Sequence, residues 1–489
     1  MKEYPEEVVA PGAWRTLAWT SLAVFMASLD ATILFVAFPS IRASFPGVSA
    51  ADLSWILNAY TIVYAALLVP AGRLADRMGR RRVFLWGVGA FTLGSLACAL
   101  APSPVLIVVG RVLQAAGGAM LTPSSLALVL AEFPRSKRSL AVSVWAAVGA
   151  LAAALGPSLG AAIIQFGGWR WAFLLNLPFG VAAMASGSRV LTESRDPSVG
   201  ELPDVLGALL LISSIGLLAF GLVGGRDRGV FQTLASLGTS LALLAWFLRR
   251  SRVVPSPALD LSLFESRSFR YANLATLVFG ATFTAMFLGS VLFLTNVWGY
   301  STLQAGLGMT PGPLTVVVVA PMAGRLAGRY GHRRLLVPGG IIFGLAFFMR
   351  YLITSSAPRY LAEWLPPLLL SGLGVGLVFP VLAAASTFSL TPNRFAVGSG
   401  VNQAIRQIGS VLGVVAVVGL VGRAQGPAAL SSFAPLFLLL GLGGFSTALI
   451  SAAIDTRPSA PQSPVASLAL GAGGQRAQRV LRKELHPHG

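Results

Sequence analysis

The sequence predicts an all-α integral membrane protein with fourteen transmembrane helices. Of its 489 residues, 55% are hydrophobic and only 11% are charged, and the mean hydropathy is +0.76. Soluble domains have about one-quarter charged residues. Apolar stretches of about 20 residues, the length that crosses the hydrocarbon core, recur from end to end of the chain. Basic residues collect in alternate loops, which is typical of membrane proteins.

Charged, Pro and Gly clusters divide the apolar sequence into fourteen predicted spans. They lie near 16–41, 54–73, 83–101, 104–131, 139–166, 169–191, 204–224, 230–248, 271–297, 305–328, 334–354, 361–390, 396–422 and 432–454. Only the short loop GGRDRG separates the seventh span from the eighth. The segment 1–15 contains no signal-peptide cleavage pattern, so we expect an uncleaved, cytoplasmic N-terminus. The Pro-, Ser- and Gly-rich segment 455–489 is predicted to be a disordered cytoplasmic tail.

The distribution of Lys and Arg predicts the orientation. With an even number of spans both termini lie on one side, and 27 of the 36 basic residues fall on that side. Six lie on the opposite side, and three, Arg111, Arg350 and Arg406, lie inside spans. Because cytoplasmic loops are enriched in basic residues, we expect both termini in the cytoplasm and the protein in the inner membrane. The net charge of +19 then reflects topology and contact with anionic lipid, and requires no nucleic-acid partner.

One basic loop occurs twice. GRLADRMGRRR at 72–82 has a counterpart, GRLAGRYGHRR, at 324–334, and each follows the second span of its half. This repeat predicts two six-helix bundles, 16–191 and 271–454, with two inserted helices at 204–248. In transporters built from such repeats, the substrate site lies between the halves near the membrane midplane.

Five stretches together resemble the fourteen-span drug/proton antiporter branch of the major facilitator superfamily. They are GRLADRMGRRR, LDATILFVAFP at 29–39, RVLQAAGGAM at 111–120, GPSLGAAI with WRWAFLLNLPFG at 156–180, and NQAIRQIGSVLG at 402–413. The resemblance covers essentially the whole chain and implies the major facilitator fold. Three positions depart from the pattern. Phe35 stands where the branch usually has Asn, Ala115 where it usually has Gly, and Gly328 where the first loop has Asp76.

The first loop is predicted to be a cytoplasmic gate motif. Its candidate residues are Gly72, Asp76, Arg77, Gly79 and Arg80. The two glycines permit a tight turn, and the Asp76 carboxylate accepts hydrogen bonds from helix N-terminal amides or from a nearby Arg. The alternative is that the loop only sets the orientation of the chain.

Asp30 is the one carboxylate deep inside a predicted span. An ionised side chain there costs at least ~2.5 kcal/mol, so it is expected to face water or a partner. Arg111, with Gln114 one turn later on the same face, is the predicted partner. Asp30 and Arg111 are therefore the candidate proton-coupling pair. The alternatives are a permanent structural ion pair, and an Arg111 side chain that reaches the membrane interface.

In the second half, Arg406 follows Asn402 by one turn, with Gln403 between them, and this pattern predicts a polar lining. Arg350 lies near the outer end of its span, so we expect its side chain to reach the interface.

Gly156, Pro157 and Gly160 form a small-residue motif in span five. The resemblance implies the motif of exporters, which seals the central cavity. An ordinary close crossing of two helices is the alternative.

Other polar and aromatic side chains are candidates for the wall of the substrate cavity. They are Asn58, Tyr60, Gln114, Trp145, Asn176, Phe283, Phe287, Asn296, Asn402 and Arg406. Phe279, Phe283 and Phe287 form one helical stripe, and such stripes suit amphipathic or cationic ligands. The same stripe is also typical of a packed core or of a lipid-facing surface.

The leading hypothesis is a proton-coupled antiporter that exports hydrophobic or amphipathic small molecules such as drugs and antibiotics. Two alternatives are an exporter of one endogenous metabolite or siderophore, and a receptor or scaffold that no longer transports. The sequence has no P-loop, no ATP-binding cassette motif and no His/Cys metal spacing, so an enzyme, a metal site and a cofactor are not expected. The proton gradient would supply the energy, and the expected partners of a monomer are the substrate, protons and lipid.

Overall fold

The computed structural model describes residues 9–134, 137–195, 203–224, 229–390, 394–421 and 426–454. Within these ranges all regular structure is helical, and fourteen helical segments are long and apolar enough to cross a membrane. The predicted fold class and number of spans are therefore confirmed. The tail at 455–489 and the first eight residues lie outside the described ranges.

The helices of the first half and the inserted pair run in chain order. They are α1 Pro11–Ser44, α2 Ala50–Leu53, α3 Trp55–Met78, α4 Arg80–Leu100, α5 Pro104–Glu132, α6 Arg138–Gly167, α7 Arg170–Leu174, α8 Asn176–Val190, α9 Val205–Gly224 and α10 Val230–Arg250. The second half contains α11 Arg267–Asn296, α12 Thr302–Met309, α13 Pro311–Tyr330, α14 Arg333–Ile353, a π-helical turn Tyr360–Trp364, α15 Leu365–Phe388, α16 Phe395–Val421 and α17 Leu430–Ser451.

Short polar residues begin several of these helices. The Ser103 hydroxyl accepts a hydrogen bond from the Leu106 amide at the start of α5, and Pro104 occupies the first helical position, where no N–H is needed. Ser301 and Gln304 form a reciprocal capping box at the start of α12. Since these caps satisfy amides that the helix itself leaves unpaired, they fix where each span begins.

Close packing of α4 on α5 shapes the interior of the first half. A Cβ atom at Gly94 would lie 2.7 Å from the backbone nitrogen of Gln114, so only glycine permits this approach. The approach brings Ser95 beside Gln114, with their side chains hydrogen-bonded. Small residues thus determine which polar groups meet inside the bundle.

The halves meet along two seams. On one seam α3 packs against α16, and on the other α6 packs against α12 and the start of α13, while α1 contacts α11 and α12. The inserted helix α9 lies against both α3 and α16, and α10 packs on the outside of α9. The inserted pair therefore covers the outside of the first seam.

Candidate functional site

Asp30 lies inside the first half and is only 3% exposed. Its carboxylate accepts hydrogen bonds from three side chains on two other helices, α5 and α8. Arg111 Nη1 lies 2.6 Å from Oδ2, and Asn176 Nδ2 and Gln114 Nε2 lie 2.8 Å and 3.2 Å from Oδ1. The tertiary fold thus gathers three residues predicted as coupling or cavity residues around the one deep carboxylate.

Arg111 is 2% exposed and does not reach the membrane interface. Besides Asp30, it donates from Nη1 to Gln114 Oε1 at 2.7 Å and from Nε to the Ile56 carbonyl at 3.1 Å. The Tyr60 ring lies beneath its guanidinium carbon at 4.0 Å. Because an Arg side chain keeps its proton, it holds a fixed positive charge against Asp30.

Ser95 completes this group and was not among the predicted residues. Its hydroxyl accepts hydrogen bonds from Gln114 Nε2 at 2.6 Å and Asn176 Nδ2 at 3.2 Å, and donates to the Phe91 carbonyl. A lone Ser in an apolar span gives little sequence signal, since it often bonds its own helix. We call Asp30, Ser95, Arg111, Gln114 and Asn176 the Asp30 cluster.

Two other predicted cavity residues of the first half lie outside the Asp30 cluster. Asn58 is fully buried, and neither atom of its amide group has a hydrogen-bond partner among the described residues. Trp145 donates from Nε1 to the Ser125 hydroxyl at 3.2 Å. Neither side chain contacts Asp30 through a hydrogen bond.

A second polar group lies between α11 and α16. Asn402 Nδ2 donates to Asn273 Oδ1 at 3.0 Å and to Thr276 Oγ1 at 2.9 Å. Beside it is a cavity of about 40 Å³. Its wall is formed by Thr276, Phe279, Gly280, Phe379, Leu382, Ala383, Asn402, Gln403 and Arg406. Asn273 and Thr276, one turn apart on α11, were missed, although this spacing marks one polar helix face.

The phenylalanine stripe on α11 is part of the packed interior and does not face lipid. The Phe283 ring lies 5.0 Å from that of Phe379, and Phe287 lies 5.8 Å from Phe35 of the first half. Phe35 therefore fills the interface between the halves at a position where the antiporter branch usually has Asn.

In the motif at 72–82 only Gly79 lies between helices, since α3 ends at Met78 and α4 begins at Arg80, and the motif is held by its own half. Asp76 pairs with Arg80 at 2.8 Å, and the Glu193 carboxylate accepts hydrogen bonds from the Arg81 and Arg82 amides at 3.1 and 3.2 Å. Gly79 has φ of 116°, a conformation that favours glycine.

The predicted turn at Gly72 is wrong, because Gly72 lies within α3 and faces Pro123 on α5. Arg77 lies in the last turn of α3. Glu193, 112 residues after Arg81, was not predicted, because nothing local links it to the loop.

The small-residue motif of α6 lies at two helix crossings. Gly156 faces Thr32 and Gly160 faces Ile33, both on α1. Gly306 of α12 lies against the Pro157 carbonyl, where a Cβ atom would approach to 2.5 Å. The motif thus forms part of the seam between the halves.

The expectation that Arg350 reaches the interface is wrong. Its side chain is 1% exposed, its guanidinium carbon lies 3.8 Å above the Trp364 ring, and Nη1 donates to the Ser290 hydroxyl. Aromatic stacking and one hydrogen bond stabilise the charge inside the second half.

Known proteins resemble most of the chain. The model of the Major Facilitator Superfamily matches residues 20–414. "Multidrug resistance protein Stp" of Mycobacterium tuberculosis (strain CDC 1551 / Oshkosh) is 36% identical over 414 residues, which cover 83% of this chain and 75% of that protein. "Cephamycin export protein CmcT" of Amycolatopsis lactamdurans is 34% identical over 430 residues, covering 86% and 88%. "Methylenomycin A resistance protein" of Streptomyces coelicolor is 34% identical over 401 residues, covering 80% and 82%.

A solved structure supports the same fold. An auto-inhibited POT family peptide transporter superimposes with a TM-score of 0.64 over 91% of this chain and 99% of that one. At 17% identity this likeness concerns the fold alone. From its fourteen apolar helices, its family match and its relatives, the chain is a multi-pass membrane transporter that belongs to the Major Facilitator Superfamily.

Proposed function

We propose that this protein is a proton-coupled antiporter that exports hydrophobic or amphipathic small molecules, drugs and antibiotics among them. The names of its relatives, which describe drug resistance and antibiotic export, support the substrate class. Its place is the inner membrane, with both termini in the cytoplasm, and the excess of basic residues on one side supports this orientation. It acts as a monomer in contact with lipid, and the proton gradient drives it without a cofactor.

The observation that supports coupling is the Asp30 cluster. Asp30 is a carboxylate buried in a membrane-spanning helix and paired with Arg111, and such residues in transporters mark proton pathways. A proton that enters from outside binds the carboxylate and releases it from Arg111. When the site opens to the cytoplasm, Asp30 gives up the proton and the pair re-forms. Gln114 and Asn176 hold the carboxylate in place during this exchange.

Alternating access requires the two bundles, 16–191 and 271–454, to rock against each other. The contact of Gly306 with the Pro157 carbonyl supports a seam that closes tightly, because small residues let the helix backbones approach. In this proposal the seam between α6 and α12 opens and closes as Asp30 changes its protonation state.

Inverted membrane vesicles test the coupling. We expect a transported compound to dissipate an imposed pH gradient with the wild-type protein but not with Asp30→Asn. Asp52→Asn is the matched control. Asp52 lies in the short helix α2, where it bonds the Ser49 cap, and its variant should retain the response. A gradient that responds equally in Asp30→Asn and wild type would contradict coupling through Asp30.

A further inference from the structure

We propose that the cavity beside Arg406 binds an anionic group, so that the substrates of this exporter are acidic small molecules, such as aromatic carboxylic acids. The inference rests on the proposed export function and names the substrate class for it. The phenylalanine stripe by itself does not indicate an anionic substrate, because aromatic surfaces also suit cationic ligands.

The first argument is the balance of charge inside the membrane. Asp30 and Arg111 neutralise each other at 2.6 Å. Arg406 has no such counterpart. Among the described residues no carboxylate lies within ion-pair distance of it. Its neighbours include the Phe379 ring, 5.0 Å from the guanidinium carbon, and the neutral Tyr64 side chain, with which it interacts electrostatically. A charge in a poorly screened interior attracts an opposite charge strongly.

The second argument is that Arg406 faces open space. It lines the cavity of about 40 Å³, whereas a single water needs roughly 10–15 Å³ of such space. The cavity therefore has room for a group of a few atoms, such as a carboxylate. A planar guanidinium donates two parallel hydrogen bonds to a carboxylate, which an ammonium cannot do. Arg350 also has no carboxylate partner among the described residues, and its Nε and Nη2 have no hydrogen-bond partner there, but Trp364 covers it and it does not line this cavity.

The third argument is the chemistry of the remaining wall. Gln403 and Asn402 bring neutral amide groups to the cavity, and Phe279 and Phe379 bring aromatic rings. None of the lining residues is acidic. A cationic ligand would meet the charge of Arg406 with nothing to offset it, whereas an acid would place its carboxylate on Arg406, in a space of matching size.

Binding measured on the purified full-length protein tests the assignment without a proton gradient. The probes are 4-biphenylcarboxylate, its neutral methylamide and 4-biphenyltrimethylammonium, which share one aromatic body. We expect the carboxylate to bind at least about tenfold more tightly than the amide or the cation, and Arg406→Gln to remove this preference. Arg359→Gln is the control in the same half, since Arg359 is 70% exposed and should keep the preference.

A second variant covers the case in which Arg406→Gln fails to fold. Gln403→Glu keeps Arg406 and the side-chain size but adds a carboxylate to the wall of the cavity. It should weaken binding of 4-biphenylcarboxylate about tenfold and improve that of the cation. Equal binding of the three probes to wild type, or an unchanged preference in Gln403→Glu, would overturn the anion site. Selective binding without proton-driven transport would instead refute the export function and leave the anion site standing.

Discussion

The two polar groups inside this transporter differ in how their charge is compensated. In the Asp30 cluster the carboxylate accepts from three donors and the guanidinium has a counterion at 2.6 Å. Arg406 has no carboxylate partner among the described residues, and the Phe379 ring, the neutral Tyr64 side chain and a cavity lie beside it. A carboxylate that has a counterion and several hydrogen-bond donors can exchange a proton while these neighbours hold it in place. An uncompensated charge beside a cavity is suited to a ligand, and this difference underlies our proposal that the proton binds in the first half and the substrate in the second.

The repeated loops differ in the same way. Asp76 and Arg80 form an ion pair in the first loop, and Gly328 and His332 occupy the corresponding positions in the second. His332 is buried and packs edge-to-face against Phe388 with ring centroids 5.3 Å apart. The first loop is therefore fixed by charge, and the second by packing of an aromatic ring.

The largest loss of stability and transport should come from removing one partner of the Asp30–Arg111 ion pair. Arg111→Gln leaves Asp30 buried without its counterion, and breaking a buried pair in this way costs about 3–5 kcal/mol. We expect a large loss of thermal stability in detergent and no proton-driven transport.

The double variant Asp30→Asn/Arg111→Gln distinguishes the cost of an unpaired buried charge from a general failure to fold. It should recover most of the stability, since neither partner is left charged, but it should stay inactive. A single variant as stable as wild type would show that the pair is not the main electrostatic contact in the first half.

A smaller loss of stability should distinguish the hydrogen bonds of the Asp30 cluster from those around Asn402. Asn176→Ala removes one hydrogen bond to the charged Asp30 and one to the neutral Ser95, whereas Asn402→Ala removes two bonds, both to the neutral Asn273 and Thr276. Bonds to charged groups contribute about 1.5–3 kcal/mol and neutral ones about 0.5–1.5 kcal/mol. Asn176→Ala should therefore lower the unfolding temperature more than Asn402→Ala. The reverse order would remove the distinction between a compensated and an uncompensated group.

The smallest effect should be a change of stability with pH that is caused by His332 in the second loop. Burial lowers the pKa of His332 below its ordinary value of 6.5, because the fold disfavours the charged imidazole. Below about pH 6.5 the unfolded chain binds this proton first, so the contribution of His332 to stability is present above that pH and is lost as the pH falls. Thermal unfolding between pH 8 and pH 5.5 should show this loss in wild type and a flatter profile in His332→Gln. Identical profiles would contradict it.

Several parts of the site could be anticipated because their signals are local. Asp30 and Arg111 stand out because charges are costly in apolar spans, and Gln114 follows on the same face of its helix. Ser95 and Glu193 could not be found in this way. Their partners are distant in sequence, and a lone Ser or a loop Glu is not unusual by itself. The prediction that the Arg350 side chain reaches the interface was wrong because it used only the position of Arg350 along the span. It did not include the aromatic rings that surround the guanidinium group.

The sequence by itself determined the class of protein, the number of spans and the distribution of basic residues, because hydropathy and charge are properties of each segment alone. Only the tertiary structure decided which polar groups meet. Asn176 reaches Asp30 across 146 residues, and the close approach at Gly94 brings Ser95 to Gln114. It also decided that Arg111 has a counterion, that Arg350 is covered by Trp364 and that Arg406 faces a cavity. Those outcomes depend on helix packing, which positions side chains that no local pattern brings together.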